Sequence, residues 1–309
     1  MNIKPSLNMN FRLLLFPFFL IISICSTLNA VAQETKSYEE LWNEHDSLTE
    51  IDFVEKTNIY LSSEEVIETI IAKSKYEQNI EQQIKAQAFQ ILLKLRLIAK
   101  EDFRILSLIE NLNDLANTNT EKAIISVIQA QSYFQYYDRY KWEMLNRETQ
   151  NNHSEGTNNS LYWTKRQLLD TIQQLFNKTI AYKSDLEKIP MERYDALFLY
   201  GNKNGKNKYS SLYEFLLIEY KNFYENNQNT LSISFEKTKT SDIDWLSLDA
   251  QLFNYKKWNL DSNYLNTDRI IIHVYQLLGQ YYTAINDETK QAYNDFDRIT
   301  FIDKAFVFP

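Results

Sequence analysis

The sequence predicts an all-α protein, a solenoid-like stack of helical hairpins with at most one short strand pair. Three observations predict it. Apolar residues recur at three- and four-residue steps through most of the chain, the period of a one-sided helix. Glycine and proline number four each, and beyond residue 32 only Gly156, Gly201, Gly205, Gly279, Pro190 and Pro309 remain. That is too few for the many tight turns of a sandwich, barrel or propeller. Short polar breaks separate the periodic segments, so neighbouring helices are expected to fold back on one another.

Residues 1–32 read as a leader. Lys4 and Arg12 border an apolar run over 13–24, and Ala30-Val31-Ala32 supplies the small residues of a cleavage site. The run falls short of the roughly 20 residues that span a bilayer. Export to the periplasm, cell surface or medium follows, with no transmembrane segment once the signal is cut. Cys25 offers lipidation as an alternative, but Ile24 stands where a lipoprotein signal has a small residue. Cleavage after Ala32 leaves no cysteine, hence no disulfide, thiolate nucleophile or Cys-ligated metal.

After the leader, Tyr38, Leu41, Trp42 and His45 share one stripe of a first helix. Ser62 and Ser63, with Glu64 and Glu65 behind them, predict a capped helix start burying Val66, Ile67, Ile70 and Ile71. A third helix, about 80–98, carries Ile84, Ala88, Ile91, Leu92 and Leu95. A fourth begins at Asp102 and shows Phe103, Leu106, Ile109 and Leu112. The fifth, from near Thr120, runs through Ala123, Val127, Ala130, Phe134 and Tyr137 to about Met144. The two predicted starts at Ser63 and Asp102 have the spacing of a helical-hairpin repeat of tetratricopeptide size, although that consensus is absent. Residues 33–145 are thus read as an N-terminal hairpin stack and 146–162, rich in Asn, as a linker.

Residues 163–309 form a second helical subdomain. Trp163 precedes a helix with Leu168, Leu169, Ile172, Leu175 and Phe176. Pro190 suits the first position of a short helix over 191–199. A helix from Ser210 carries Leu212, Phe215, Leu216, Tyr220 and Phe223. The alternation Leu231, Ile233, Phe235 within polar residues 226–243 suits one short strand or an extended loop. Helices resume near Asp242, at Asn266 and at Asp287. The apolar ending Phe306-Val-Phe-Pro309 is expected to be a truncation before a partner surface.

Chemistry is sparse. The 33 Lys and Arg stand against 41 Asp and Glu, net −8. Without Lys4 and Arg12 the mature chain has 31 against 41, net −10. An acidic chain without a long basic run is a poor partner for nucleic-acid phosphates. His45, His153 and His273 are each isolated from a second metal ligand at helical spacing. Gly201-Asn-Lys-Asn-Gly205-Lys206-Asn207 is one residue short of a phosphate loop and has Asn where Ser or Thr would hold magnesium. Lys203, Lys206 and Lys208 make it a basic surface turn. The acid pairs Glu64–Glu65 and Asp242–Asp244 are accounted for by helix starts, and no Gly-x-Ser-x-Gly motif occurs. No catalytic, metal, cofactor or thioester residue is expected. The unusual feature is 14% aromatic content. Tyr136, Tyr137, Tyr140 and Trp142 are a candidate aromatic surface, on which rings could stack a sugar; core packing is the simpler account.

Four ordered stretches carry a resemblance. Ser37-Tyr-Glu-Glu-Leu-Trp42, Ala130-Gln-Ser-Tyr-Phe-Gln-Tyr-Tyr137 with Trp142, Trp163 with Leu168 and Ile172, and Ser211-Leu-Tyr-Glu-Phe-Leu216 with Phe223 together resemble the N-terminal helical region of the large alpha-2-macroglobulin-like proteins of Bacteroidota-type bacteria. One departure is Ser210-Ser211, where that family has Pro-Thr. The resemblance implies a non-enzymatic scaffold or interaction module of a protease-inhibitor protein. Its partner would be another protein or the missing macroglobulin domains, since macroglobulin, bait and thioester parts are absent. The alternative is a glycan-binding envelope protein of the helical starch-utilisation type.

Overall fold

The computed structural model describes residues 36–50, 56–97, 103–150, 163–194, 197, 209–231, 248–256 and 267–305. The leader, His153, the 201–208 loop, Asp242, Asp244 and residues 306–309 lie outside them. The chain divides into two compact units, Met1–Asp52 and Phe53–Pro309. The described residues form helices and no strand, so the all-α hairpin stack is the observed fold. No described helix is long and apolar enough to cross a membrane.

In the first unit, α1 spans Tyr38–Glu50. Ser37 and Glu40 cap it reciprocally, the Ser37 amide donating to Glu40 Oε2 at 2.7 Å and the Glu40 amide to Ser37 Oγ at 3.2 Å. Leu41, Trp42 and His45 are buried on the expected stripe.

The second unit opens on a hairpin, α2 (Lys56–Tyr76) and α3 (Ile80–Leu97). Here the expected start at Ser62–Ser63 is corrected. Helix α2 begins at Lys56, and Ser63 is buried inside it with its hydroxyl unpaired. Serine's capping preference is weak beside the gain from continuing the helix, and Glu64 serves a different end by pairing with Lys94 of α3. The turn closes with Gln78 at φ 54°, its amide donating to Lys75 O and that of Asn79 to Ser74 O at 2.9 Å. This is the left-handed C-terminal cap that satisfies the last carbonyls of a helix.

Next come α4 (Arg104–Asn111), a 3₁₀ turn Leu112–Leu115, and the long α5 (Asn119–Gln150). Thr118 and Glu121 form the capping box of α5, and Gln129 donates from within it to Ile109 O of α4 at 2.7 Å. Helical dihedrals lapse once, at Tyr140. Helix α5 continues through residues 146–150 of the expected linker, and 151–162 lie outside the described residues. Across that segment α6 (Lys165–Ala181) packs closely on α5, starting from a full capping box of Thr164 and Gln167.

Two short elements, α7 (Lys183–Leu186) and a 3₁₀ turn Met191–Tyr194 following Pro190, lead towards α8 (Leu212–Asn226). The short helix expected over 191–199 is thus a 3₁₀ turn as far as Tyr194. Leu231, proposed as the first residue of a strand, sits in the single-turn helix α9 (Gln228–Leu231); Ile233 and Phe235 lie outside the described residues. The unit ends with α10 (Ala250–Tyr255), α11 (Thr267–Ala284) and α12 (Glu288–Ala305).

One apolar core runs from Ile84 of α3 to Ile302 of α12, without a break at the Asn-rich segment. Its centre is aromatic. Phe176 of α6 stacks on Tyr220 of α8 at 4.6 Å and meets Phe223 at 4.8 Å, while Phe134 of α5 meets Phe223 edge-on at 5.2 Å. Large rings fill the space between these three helices. That use accounts for much of the aromatic content.

Candidate functional site

The four aromatic residues singled out from the sequence separate in the structure. Tyr136, Tyr137 and Tyr140 are 1%, 4% and 0% exposed, and Trp142 is 70% exposed. A stacking platform built from all four is therefore corrected. Positions 136, 137 and 140 share the inward face of α5 with Met144, whereas position 142 lies two residues beyond Tyr140 on the opposite side. One exposed indole remains, on a helix that otherwise puts its rings into the core.

A charged cluster that the sequence reading missed lies where α8 meets α11 and α12. Ser211 caps α8 through the Glu214 amide. The Glu214 carboxylate, 2% exposed, accepts from Lys290 Nζ at 2.8 and 2.9 Å and from the Tyr282 hydroxyl at 3.0 Å. Lys290 Nζ also donates to Ser210 Oγ at 2.8 Å, and Ser211 Oγ pairs with the Tyr281 hydroxyl at 2.8 Å. Burial, with Glu214 beside it, pushes the Tyr282 phenol far above its ordinary value. Serine and lysine in hydrogen-bond contact are the components of a nucleophilic dyad, but here the lysine's other contacts are both oxygens of a buried carboxylate. With the Tyr281 and Tyr282 hydroxyls the cluster ties α8, α11 and α12 together. The available signal was Ser211 with Glu214 three residues on, readable as a capping box; Lys290 is 76 residues away in sequence.

Two concavities lie elsewhere in the second unit. A cavity of about 180 Å³ between α3, α5 and α8 is bordered by Phe89, Leu92, Ile128, Gln131 and Phe215. A cleft of about 460 Å³ between α8, α11 and α12 is bordered by Lys221, Glu225, Tyr275, Asp297 and Lys304. Within it the Tyr275 hydroxyl donates to Glu225 at 2.9 Å, and Lys221 lies 4.9 Å above the Tyr275 ring. His273 is half-buried, its imidazole pushed below its ordinary pKa by burial and partly restored by Gln276. His45, buried, contacts Asp46 at 3.1 Å. Among the described residues no group of three or more His, Cys, Asp or Glu is placed to hold a metal.

The third feature is the outward face of α12. Its inward side is fixed by buried Arg298, which donates to Leu248 O at 2.9 Å, pairs with Asp295 and lies 4.1 Å from the Phe253 ring of α10. Asn294 adds a bond to Tyr275 O at 3.1 Å. The opposite side exposes Tyr293 at 69%, Phe296 at 67% and Ile299 at 49%. A shallow concavity of about 660 Å³ there is bordered by Glu288, Thr289, Ala292, Tyr293 and Phe296. The sequence signal was available, because α12 carries apolar residues on both sides of its wheel.

Fold and sites together define a class, an all-α helical-hairpin protein with an apolar outer face at its last described helix. No family model, curated protein or solved structure matches the chain.

Proposed function

We propose that this chain is a non-enzymatic scaffold or interaction module of an exported bacterial alpha-2-macroglobulin-like protease-inhibitor protein. The observation that carries an interaction role is the outer face of α12. Three large apolar side chains exposed along one side of a single helix mark a surface that associates. The residues behind the family resemblance support a structural part in it. Apart from exposed Trp142 and half-buried Tyr38, Phe134, Trp163 and Phe215, the apolar residues among them are buried: Leu41 and Trp42, Tyr133, Tyr136 and Tyr137, Leu168 and Ile172, and Leu212, Tyr213 and Leu216. Such positions preserve a fold and bring no reactive group with them. The module is exported behind the leader and presents its helices to macroglobulin domains that supply bait and trap.

Co-purification of the full chain from the bacterial envelope, with sequencing of the reading frame around its gene, tests this reading. The expected result is a macroglobulin-domain protein in the purified complex or in the same frame. Neither being found would overturn it. Mass determination of the mature N-terminus is expected to show cleavage after Ala32 and no lipid on Cys25.

A further inference from the structure

The outer face of α12 has the geometry of a receptor for one further helix. Thr289, Ala292, Tyr293 and Phe296 stand at positions i, i+3, i+4 and i+7, the four corners of the hole into which one side chain of a facing helix inserts. Ala292 is the small floor, and Tyr293 and Phe296 are the walls. Ile299 and Thr300 continue the same stripe one turn further, so the face is long enough for two successive knobs.

Its border is mostly acidic. Glu288, Asp297 and Asp303 are exposed along it, with Lys304 as the basic exception. The other cations of α12 are committed inward, Lys290 to Glu214 and Arg298 to Asp295 and Leu248 O. A second copy of the same face would set three acids and one lysine against the same set, an excess of like charge that is unfavourable. A segment with lysine or arginine beside its apolar stripe would neutralise that border.

We infer that α12 docks an amphipathic helix of a partner, apolar along one stripe and basic on both flanks, with an aliphatic side chain seated among Thr289, Ala292, Tyr293 and Phe296. The inference rests on the interaction role proposed above and names the chemistry of the partner.

The test uses the full mature chain and a labelled helical peptide of about five turns, with leucines in one stripe and lysines on both flanks. Controls are a twin with glutamates on the flanks and a scrambled sequence of the lysine peptide. Fluorescence anisotropy is expected to show the lysine peptide binding at least about tenfold tighter than either control. Phe296→Glu and Ala292→Glu are decisive because both add negative charge. Non-specific attraction to an acidic chain would strengthen in them, whereas a filled hole requires binding to weaken about tenfold or more. Both positions are exposed, and an unchanged circular dichroism spectrum and melting temperature establish that the variants fold.

Equal binding of the lysine and scrambled peptides overturns the inference, as does unchanged or tighter binding by both variants. Sedimentation showing a dimer that Phe296→Glu dissociates overturns it in favour of a second copy. Loss of the peptide result with a macroglobulin protein still co-purifying removes the docking site and leaves the functional proposal standing. The reverse outcome removes the macroglobulin reading and keeps the helix receptor.

Discussion

The second unit begins and ends with the same local motif. Hairpins α2–α3 and α11–α12 both turn through one left-handed residue, Gln78 at φ 54° and Asn286 at φ 55°, followed by an N-cap, Asn79 and Asp287. The backbone bonds correspond as well, Asn79 to Ser74 O at 2.9 Å and Asp287 to Tyr282 O at 3.0 Å. What differs is the solvent side. Helix α2 exposes Glu65, Glu68, Thr69, Ala72 and Lys75 over its central turns, while α12 exposes Tyr293, Phe296 and Ile299. Tyr76, the last residue of α2, is also exposed. The same turn geometry thus joins a face finished for water in one hairpin and a face suited to packing in the other. The difference lies in the composition of one helix side, and backbone geometry says nothing about it.

The largest expected effects come from the buried sides, where the hairpins should behave alike. Ile70→Ala in α2 and Leu278→Ala in α11 remove fully buried side chains and should each cost about 2–5 kcal/mol by denaturant unfolding. A cost below about 1 kcal/mol at either position would break the equivalence. Next is the ion pair that only the second hairpin sends into the core. Lys290→Ala leaves the Glu214 carboxylate buried with its main partner gone, a loss of about 3 kcal/mol. Adding Glu214→Gln should return much of it, and a double mutant no more stable than Lys290→Ala would show that the pair is not what holds the helices.

The turns sharpen the comparison further. Gln78→Gly relieves a side chain in the left-handed region and should raise stability by about 0.5–1 kcal/mol. Asn286→Gly should gain less, because asparagine tolerates that region better than glutamine. Equal gains would mean the two turns are not strained differently.

A pH response should separate the hairpins last. The α2–α3 hairpin has no histidine, and α11 has His273, whose burial lowers its pKa from 6.5. The unfolded chain then binds the proton more readily than the folded one. Stability contributed by neutral His273 is complete above pH 6.5 and falls as the pH drops through that value. His273→Gln should flatten the slope between pH 7 and pH 5.5 in parallel melts, and an unchanged slope would assign it elsewhere.

Much of the fold was legible because helix caps and apolar periodicity are local signals. Thr164, Ser211 and Asp287 stand at helix starts as side-chain chemistry requires, and Ile84, Leu106, Leu168 and Ile270 face inward. Ser62–Ser63 misled for the same reason: a capping sequence inside a long helix looks, locally, like a start. The aromatic cluster on α5 was legible as a cluster but not as a surface, since burial of Tyr136 and Tyr140 depends on α6 and its neighbours arriving against that face.

The amino-acid sequence by itself determined that this chain is helical, where most helices begin and which stripe of each is apolar, because those properties follow from spacing within a few turns. Tertiary structure alone decided that Lys290 meets Glu214, that three tyrosines of α5 go inside while Trp142 stays out, and that the apolar residues of α12 divide between a covered side and an open one. Each of these depends on which helices arrive beside a given face, and contacts between separate helices leave no local mark in the order of side chains.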